Sequence, residues 1–182
     1  MDKHEISRRL REIQQGLAAT VSAMTDNAFV RHSGREWPAA DYLKHLILSV
    51  KPFARALQLP KERLIAMFGR PERPSMSFDA LRQTYQIQLG EGLRAEDVTS
   101  VNPVDYRYPE GMTSVKEALL VAWNEGNDRM LDALDELDEV ELDTYQLPHP
   151  AVGMLTLREM LYFTIEHNEL HWGDISRLAQ SA

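Results

Sequence analysis

The chain has 182 residues, a length that fits a single domain with room for a sizeable core. It contains no cysteine, which excludes disulfide frameworks, thiolate zinc fingers, iron–sulfur clusters and cysteine nucleophiles. Acidic residues outnumber basic ones by 28 to 20, and the net charge of −8 disfavours nucleic-acid binding because it repels phosphate backbones.

The first two predicted helices follow apolar residues at steps of three and four. One stripe begins at Ile6 and ends at Met24, so it predicts a helix of about six turns. The second helix begins near Pro38, because proline is favoured at the first helical position, and its stripe reaches Leu57. Pro52 lies inside that stripe and predicts a kink or an early end of the helix.

Proline and glycine divide the middle of the chain. Residues 60–68 predict a short helix that Gly69 closes, and two prolines within residues 70–77 predict a loop. Ser77 is a suitable cap for the helix that follows. Residues 102–111 hold two more prolines and predict a second loop.

Two long helices are predicted in the last third of the chain. Thr113 or Ser114 caps a helix that continues to about Leu137, and its acidic face is interpreted as solvent-exposed. Residues 147–153 predict a turn, after which Thr156 caps the last helix. A glutamate three residues later completes a capping box there.

These elements define the fold class, because no stretch shows the alternation of a strand. The sequence predicts an all-α protein with one domain over residues 1–182, built as an antiparallel four-helix bundle with one or two extra short helices. We expect it to be cytoplasmic and not bound to a membrane. No apolar run approaches the ~20 residues that span a bilayer, and the first residues lack the apolar core of a secretion signal.

The last predicted helix carries two histidines on its apolar face. His167 and His171 are one turn apart, so their side chains lie about 5–6 Å apart on the surface that faces the core. Two imidazoles in an apolar core are costly unless their nitrogens are paired, and a divalent metal would pair both. Two unrelated core histidines hydrogen-bonded to carbonyl groups are the alternative, and the spacing alone does not decide between the two.

Two known metal motifs do not fit this helix. A zincin helix reads His-Glu-x-x-His, whereas the glutamate here is Glu169, about 200° around the helix from His167 and on the opposite side. A di-iron bundle needs a glutamate three residues before a histidine, and none of the six histidines has one.

A third ligand for a metal bound by His167 and His171 must come from elsewhere in the chain. His45, at the border of the second helix's apolar stripe, suits both a pocket mouth and an ordinary boundary position.

Three segments resemble the DinB superfamily, which includes the YfiT-like proteins, and they stand in the family's order. Residues 37–46 resemble its Trp-Ser/Pro-x-x-acid-x-x-x-His-Leu motif, and residues 147–161 resemble its His-Pro-x-x-Gly-x-Leu-Thr-x-x-Glu motif. The last two histidines match its terminal His-x-x-x-His. The resemblance covers nearly the whole chain. It implies a four-helix bundle with one divalent metal ion, zinc, nickel or iron, held by His45, His167 and His171.

The resemblance also implies a function. Some relatives are S-transferases or isomerases that use a low-molecular-weight thiol, so a metal-dependent hydrolase or thiol-dependent S-transferase acting on a small-molecule substrate is expected. Because the chain has no cysteine, such a thiol would be an external cofactor. Superfamily members often pair through helices, which implies a homodimer. The alternative function is a non-catalytic bundle that the metal only staples together, acting in stress-related binding or dimerisation.

The sequence identifies no catalytic base. Four polar residues lie within about a turn of the candidate ligands: Tyr42, Thr164, Glu166 and Asp174. Asp174 stands where the family often has an amide, and it can orient His171, bind the metal directly or pair with a basic residue. His149 lies between two prolines and is interpreted as shaping the turn rather than reaching the site.

Overall fold

The structure is a computed structural model that describes residues 1–32, 34, 36–92 and 99–181. These residues form eight helices: α1 (Lys3–Ala23), α2 (Asp26–Val30), α3 (Ala39–Leu57), α4 (Lys61–Phe68), α5 (Phe78–Gly90), α6 (Val115–Asp135), α7 (Glu139–Thr144) and α8 (Leu157–Gln180). Two short strands, β1 (Gln146–His149) and β2 (Gly153–Thr156), precede α8. The predicted all-α class is confirmed. Shorter helices are more numerous than the one or two expected, because α2 and α7 span only one or two turns and carry little periodicity.

The four long helices α1, α3, α6 and α8 form the bundle, in which α1 and α3 each pack against both α6 and α8. The start of α1 meets the end of α6, where the Lys3 ammonium donates to the carbonyl of Asp135. It also meets the start of α8, where the amino terminus donates to the Tyr162 hydroxyl. The start of α3 meets the end of α8, where Glu36 pairs with Arg177. The bundle therefore contains two antiparallel pairs, α1 with α6 and α3 with α8.

Residues 58–114 connect α3 to α6 and make the long crossover that lets these two helices run in the same direction. The predicted helix within this connection is α4, and it ends at Gly69, whose φ of 70° favours glycine. The helix predicted after Ser77 is α5, which packs against α8. One side of α8 is thus covered by the crossover helix α5 rather than by another helix of the bundle.

The predicted apolar stripes form the core. Five stripe residues of α1 are each at most 3% exposed: Ile6, Leu10, Ile13, Leu17 and Val21. On α6, Trp123 is fully buried and its indole N–H donates to the carbonyl of Gln14. The second of the predicted helices is α3, and it continues past Pro52 to Leu57, so the early end predicted as one effect of this proline does not occur. No helix among the described residues is long and apolar enough to cross a membrane.

The segment predicted as a turn before the last helix is a small antiparallel hairpin. His149 lies opposite Gly153, whose φ of 79° is again a conformation that favours glycine. Strands of four residues are too short to show alternation, which explains why the sequence indicated only a turn. The capping box that follows is confirmed, because the side chains of Thr156 and Glu159 each accept a hydrogen bond from the other's backbone N–H.

Candidate metal centre

Three histidines from α3 and α8 meet inside the bundle. The Nε2 atoms of His45 and His167 are 2.8 Å apart. One nitrogen from each of these residues and one from His171 lie within 4.8 Å of one another. The structure therefore brings together all three residues that the sequence nominated, although 122 residues separate the first two.

The positions of the three side chains follow from the two helices. His167 and His171 are one turn apart on α8, so their rings contact edge to face with centroids 4.8 Å apart. His45 is only 3% exposed on α3, which runs antiparallel to α8. The border position that the sequence suggested for His45 is thus a buried one that faces the neighbouring helix.

Burial keeps two of the imidazoles neutral at neutral pH. Desolvation lowers the pKa of His45 to about 4, although a hydrogen bond to the carbonyl of Val101 opposes the shift. Desolvation, reinforced by the neighbouring histidines, also lowers the pKa of His167 well below its usual value of 6.5. Neutral imidazole is the form that binds a metal ion, so these two histidines are already in the form that a metal needs.

In two of the rings, the hydrogen bond that Nδ1 makes shows which ring nitrogen carries the hydrogen. His45 Nδ1 lies 2.8 Å from the carbonyl oxygen of Val101, and because a carbonyl can only accept, this nitrogen carries the hydrogen. His171 Nδ1 lies 3.0 Å from a carboxylate oxygen of Asp174 and donates in the same way. In the neutral form of either ring, Nε2 is then left with its lone pair. Of the three roles open to Asp174, the structure supports two, because this carboxylate contacts His171 and also lies 3.4 Å from Arg177.

The donor set fits a divalent metal ion. Three neutral imidazole nitrogens suit zinc, nickel or iron(II), and affinity alone does not choose among these metals. With metal–nitrogen distances near 2.0–2.1 Å, two ligands of a tetrahedral ion lie about 3.3 Å apart. The observed 2.8 Å between His45 and His167 would therefore have to open by only about 0.5 Å. The described residues bring no fourth His, Cys, Asp or Glu into the cluster.

A large cavity adjoins the cluster. Its volume is about 610 Å³, within the range of small-molecule sites, and all three histidines line it. The other lining residues are mainly apolar and include Leu48, Phe53, Ala56, Phe68, Met160 and Leu147. Glu36 is the only charged residue among the described lining residues. Its carboxylate is engaged by Arg177 and by the hydroxyl of Tyr42.

The other polar residues nominated near the ligands divide into two groups. Tyr42 lines the cavity with its ring 5.2 Å from that of His171, and burial raises the pKa of its hydroxyl. Thr164 also lines the cavity, but its hydroxyl donates to a backbone carbonyl of its own helix. Glu166 pairs with Arg82 and Glu169 pairs with Arg9, and neither glutamate lines the cavity. The prediction that Glu169 is outside the site is therefore confirmed.

The interpretation of His149 from the sequence was incomplete. His149 does shape the hairpin turn, because its Nδ1 accepts a hydrogen bond of 3.2 Å from the N–H of Ala151. It also lines the cavity, with its ring 4.0 Å from that of Phe163, which in turn stacks on His167. The available signal was the His-Pro motif before the last helix, but without the hairpin nothing placed this histidine beside the other three.

Comparison with known families is consistent with this geometry. A model of the DinB superfamily matches residues 9–175, a range that contains the four bundle helices almost completely and all three clustered histidines. No curated protein matches the sequence. Since the family model covers far more than half of the chain, the chain belongs to the DinB superfamily.

Proposed function

We propose that the protein is a metal-dependent enzyme that transfers an external low-molecular-weight thiol to an apolar small-molecule substrate. His45, His167 and His171 would hold one zinc, nickel or iron(II) ion. One observation carries the proposal: a cluster of three histidines, two of them with Nδ1 hydrogen-bonded to an oxygen acceptor, forms part of the wall of a large apolar cavity.

The open side of the cluster favours catalysis over a structural staple. Structural zinc sites have four protein ligands, whereas catalytic sites keep one position for water or substrate. The described residues supply three candidate ligands, and the side chain of His171 keeps 13% of its exposure. A small molecule in the cavity would therefore have direct access to a fourth position.

Each protein group has a definable task in this reaction. A divalent ion bound by the three imidazoles would lower the pKa of a thiol or of water and so supply a nucleophile at neutral pH. Val101 and Asp174 hold the rings of His45 and His171 with Nε2 toward the cluster. The apolar wall excludes water, and the volume of about 610 Å³ leaves room for both a thiol and a second substrate.

The shortage of bases favours a thiol over water as the nucleophile. An unperturbed thiol has a pKa near 8.5, so it ionises far more readily than water and needs less help from a general base. The one carboxylate in the described cavity lining, Glu36, is already engaged by Arg177 and Tyr42. Hydrolysis is the competing outcome.

The test is a thiol-transfer assay on protein loaded separately with zinc, nickel or iron(II). Cysteamine and cysteine serve as thiols, chlorodinitrobenzene as the apolar electrophile and nitrophenyl butyrate as the hydrolysis substrate. We expect metal-dependent thioether formation that His167→Ala abolishes together with stoichiometric metal binding. Glu169→Ala, on the same helix but outside the cavity, should retain both.

The outcomes separate the candidate functions. Ester hydrolysis without thiol transfer would replace the transferase proposal with a hydrolase. Bound metal with neither activity would favour the stapled bundle. Full retention of metal by His167→Ala would remove the basis of the proposal.

A further inference from the structure

A row of three aromatic rings forms one wall of the cavity. The His149 ring is 4.0 Å from the Phe163 ring, and the Phe163 ring is 5.2 Å from the His167 ring, with the last two nearly parallel at 21°. All three residues line the same cavity. His149 therefore stands one phenyl ring away from the histidine cluster, on the side of the β hairpin.

The hairpin fixes the state of the His149 ring. Its Nδ1 accepts a hydrogen bond from the N–H of Ala151, so in the neutral ring the hydrogen is on Nε2. Burial lowers the pKa of His149 to about 4, which keeps the ring neutral at physiological pH. No described residue accepts a hydrogen bond from this Nε2–H.

This donor is one of few polar groups without a partner in the described cavity lining, and the buried side-chain amide of Asn168 is another. The described cavity lining is mainly apolar, and its single charged group, Glu36, is engaged by other residues. A polar group in such a place costs free energy unless a ligand or water pairs with it. Small-molecule sites commonly consist of an apolar cavity with a few placed polar groups that fix the orientation of the ligand.

We propose that His149 positions the substrate by donating its Nε2–H to an oxygen acceptor of an uncharged, largely apolar molecule. Phe163 sets the spacing, so this oxygen lies about one aromatic ring away from the atom that reacts at the cluster. Away from the histidine cluster, the described lining residues offer no unengaged cation, so an uncharged oxygen acceptor suits this end of the cavity better than an anionic group. The inference rests on the proposed function only in assigning the reacting end of the substrate to the three-histidine cluster.

The test compares two probes of the same shape. Pentyl phenyl ketone carries one oxygen acceptor, and in its alkene analogue a methylene group replaces the carbonyl oxygen. Titration calorimetry on zinc-loaded wild-type protein should show the ketone binding about fivefold more tightly, the value of one ordinary hydrogen bond. His149→Phe should remove this preference by weakening the ketone alone, because the aromatic wall is retained.

A second variant separates hydrogen bonding from turn structure. In His149→Asn the amide oxygen can still accept from the N–H of Ala151, in the manner of an Asx turn. The shorter side chain no longer carries an N–H donor to the position of His149 Nε2, where the oxygen of the ketone would bind. This variant should also lose the preference for the ketone, and a native circular-dichroism spectrum should show that it is folded. A ketone preference that persists in either variant, equal weakening of both probes, or no binding of either probe to wild type would overturn the proposal.

Two further measurements complete the test. Nitrogen NMR of histidine-labelled protein should show the hydrogen of His149 on Nε2, and a hydrogen on Nδ1 would contradict the proposal. The ketone preference should also survive in chelator-treated, metal-free wild-type protein, in which the aromatic row is intact. Failure of the wild-type protein to bind metal would therefore overturn the proposed function and leave this inference standing. Normal metal binding without a ketone preference in wild type would do the reverse.

Discussion

At the residue scale, the histidine cluster depends on the groups that hold the second nitrogen of His45 and of His171. Asp174 accepts from His171 Nδ1 and also lies 3.4 Å from Arg177, so its own position is fixed by a charge on the next turn. A carboxylate in this place sets the tautomer of the ring and makes Nε2 a better donor to a metal. This effect on His171 comes from the Asp174 side chain, so a substitution of Asp174 can remove it without changing a candidate metal ligand.

Replacing Asp174 should therefore weaken metal binding. Asp174→Ala is expected to lower zinc affinity about tenfold, because His171 loses its orienting acceptor. Asp174→Asn keeps an oxygen that can accept from Nδ1, so its affinity should remain much closer to wild type. Competition for zinc with a chromophoric chelator measures both. Equal affinities for wild type and Asp174→Ala would show that the contact does not orient the ligand.

The buried imidazole of His45 makes a second prediction, on the pH dependence of the metal-free protein. Its pKa is about 4 in the folded state against 6.5 normally, so between these values the unfolded chain binds the extra proton. The free energy of unfolding should therefore fall as pH falls from 6.5 towards 4, and this group should contribute nothing above 6.5. The loss attributable to it at pH 5 is about 2 kcal/mol.

Urea denaturation of metal-free wild type and His45→Gln at pH 7.5 and pH 5 measures this contribution. Wild type should lose more stability than the variant on acidification, because the variant lacks the His45 imidazole and its effect on the neighbouring His167. Equal losses would mean that the native state accommodates a charged imidazole at this position.

The candidate ligands differ in how far the sequence alone could predict them. His167 and His171 were accessible from helical spacing, since one turn on an apolar face places both in the core. His45 required the family resemblance, because nothing local distinguishes it from a boundary histidine. Its partner Val101 lies in a short 3-10 turn, Thr99–Val101, within the crossover, and such turns carry no periodic signal that relates them to a distant helix.

At the element scale, the packing of α1 on α8 depends on one glycine. Trp172 of α8 lies over Gly16 of α1, and its indole N–H donates to the hydroxyl of Thr20 over 2.9 Å. A Cβ atom at position 16 would overlap the six-membered ring of this tryptophan. Gly173, in the next position of α8, has open space around it. The two glycines therefore form a matched pair within helices.

Alanine at these two glycines should have opposite effects on stability. In a helix interior the change from glycine to alanine stabilises by about 1 kcal/mol through backbone entropy, and Gly173→Ala should approach this gain. Gly16→Ala must displace the tryptophan ring, at a cost of about 1–3 kcal/mol that offsets or exceeds the gain. Urea denaturation gives the sign, and tryptophan fluorescence reports the displacement. Stabilisation by both variants would show that the ring moves freely.

The elements were predictable wherever periodicity extends over several turns. The stripes of α1, α3, α6 and α8 located the bundle, and the capping box located the start of α8. The hairpin was not predictable, because strands of four residues are too short to show alternation. Its first strand is held by a distant contact, in which the amide of Gln146 donates to the carbonyls of Phe68, the last residue of α4, and of Arg70. This unpredicted hairpin carries His149 to the cavity.

At the scale of the whole molecule, the histidine cluster joins α3 and α8, which are held apart in sequence by the entire crossover and α6. His45 and His167 are separated by 122 positions, so a metal ion shared by them would close a very long loop. The unfolded chain does not present these side chains together. Binding therefore favours the native state, and its free energy adds to the free energy of unfolding.

Zinc should consequently raise the thermal stability of the protein, whether or not the site is catalytic. At a free zinc concentration one hundred times the dissociation constant, the gain is about 2.7 kcal/mol. For a chain of this length, that gain corresponds to a rise in Tm of about 5–10 °C. Calorimetry of chelator-treated protein with and without added zinc measures the shift.

His167→Ala should abolish most of this rise in Tm, because the two remaining histidines lie on different helices and form a poor pair. Glu169→Ala should respond as wild type does. A shift of equal size in His167→Ala would place the zinc elsewhere on this acidic surface, and the cluster would then have no part in joining α3 to α8.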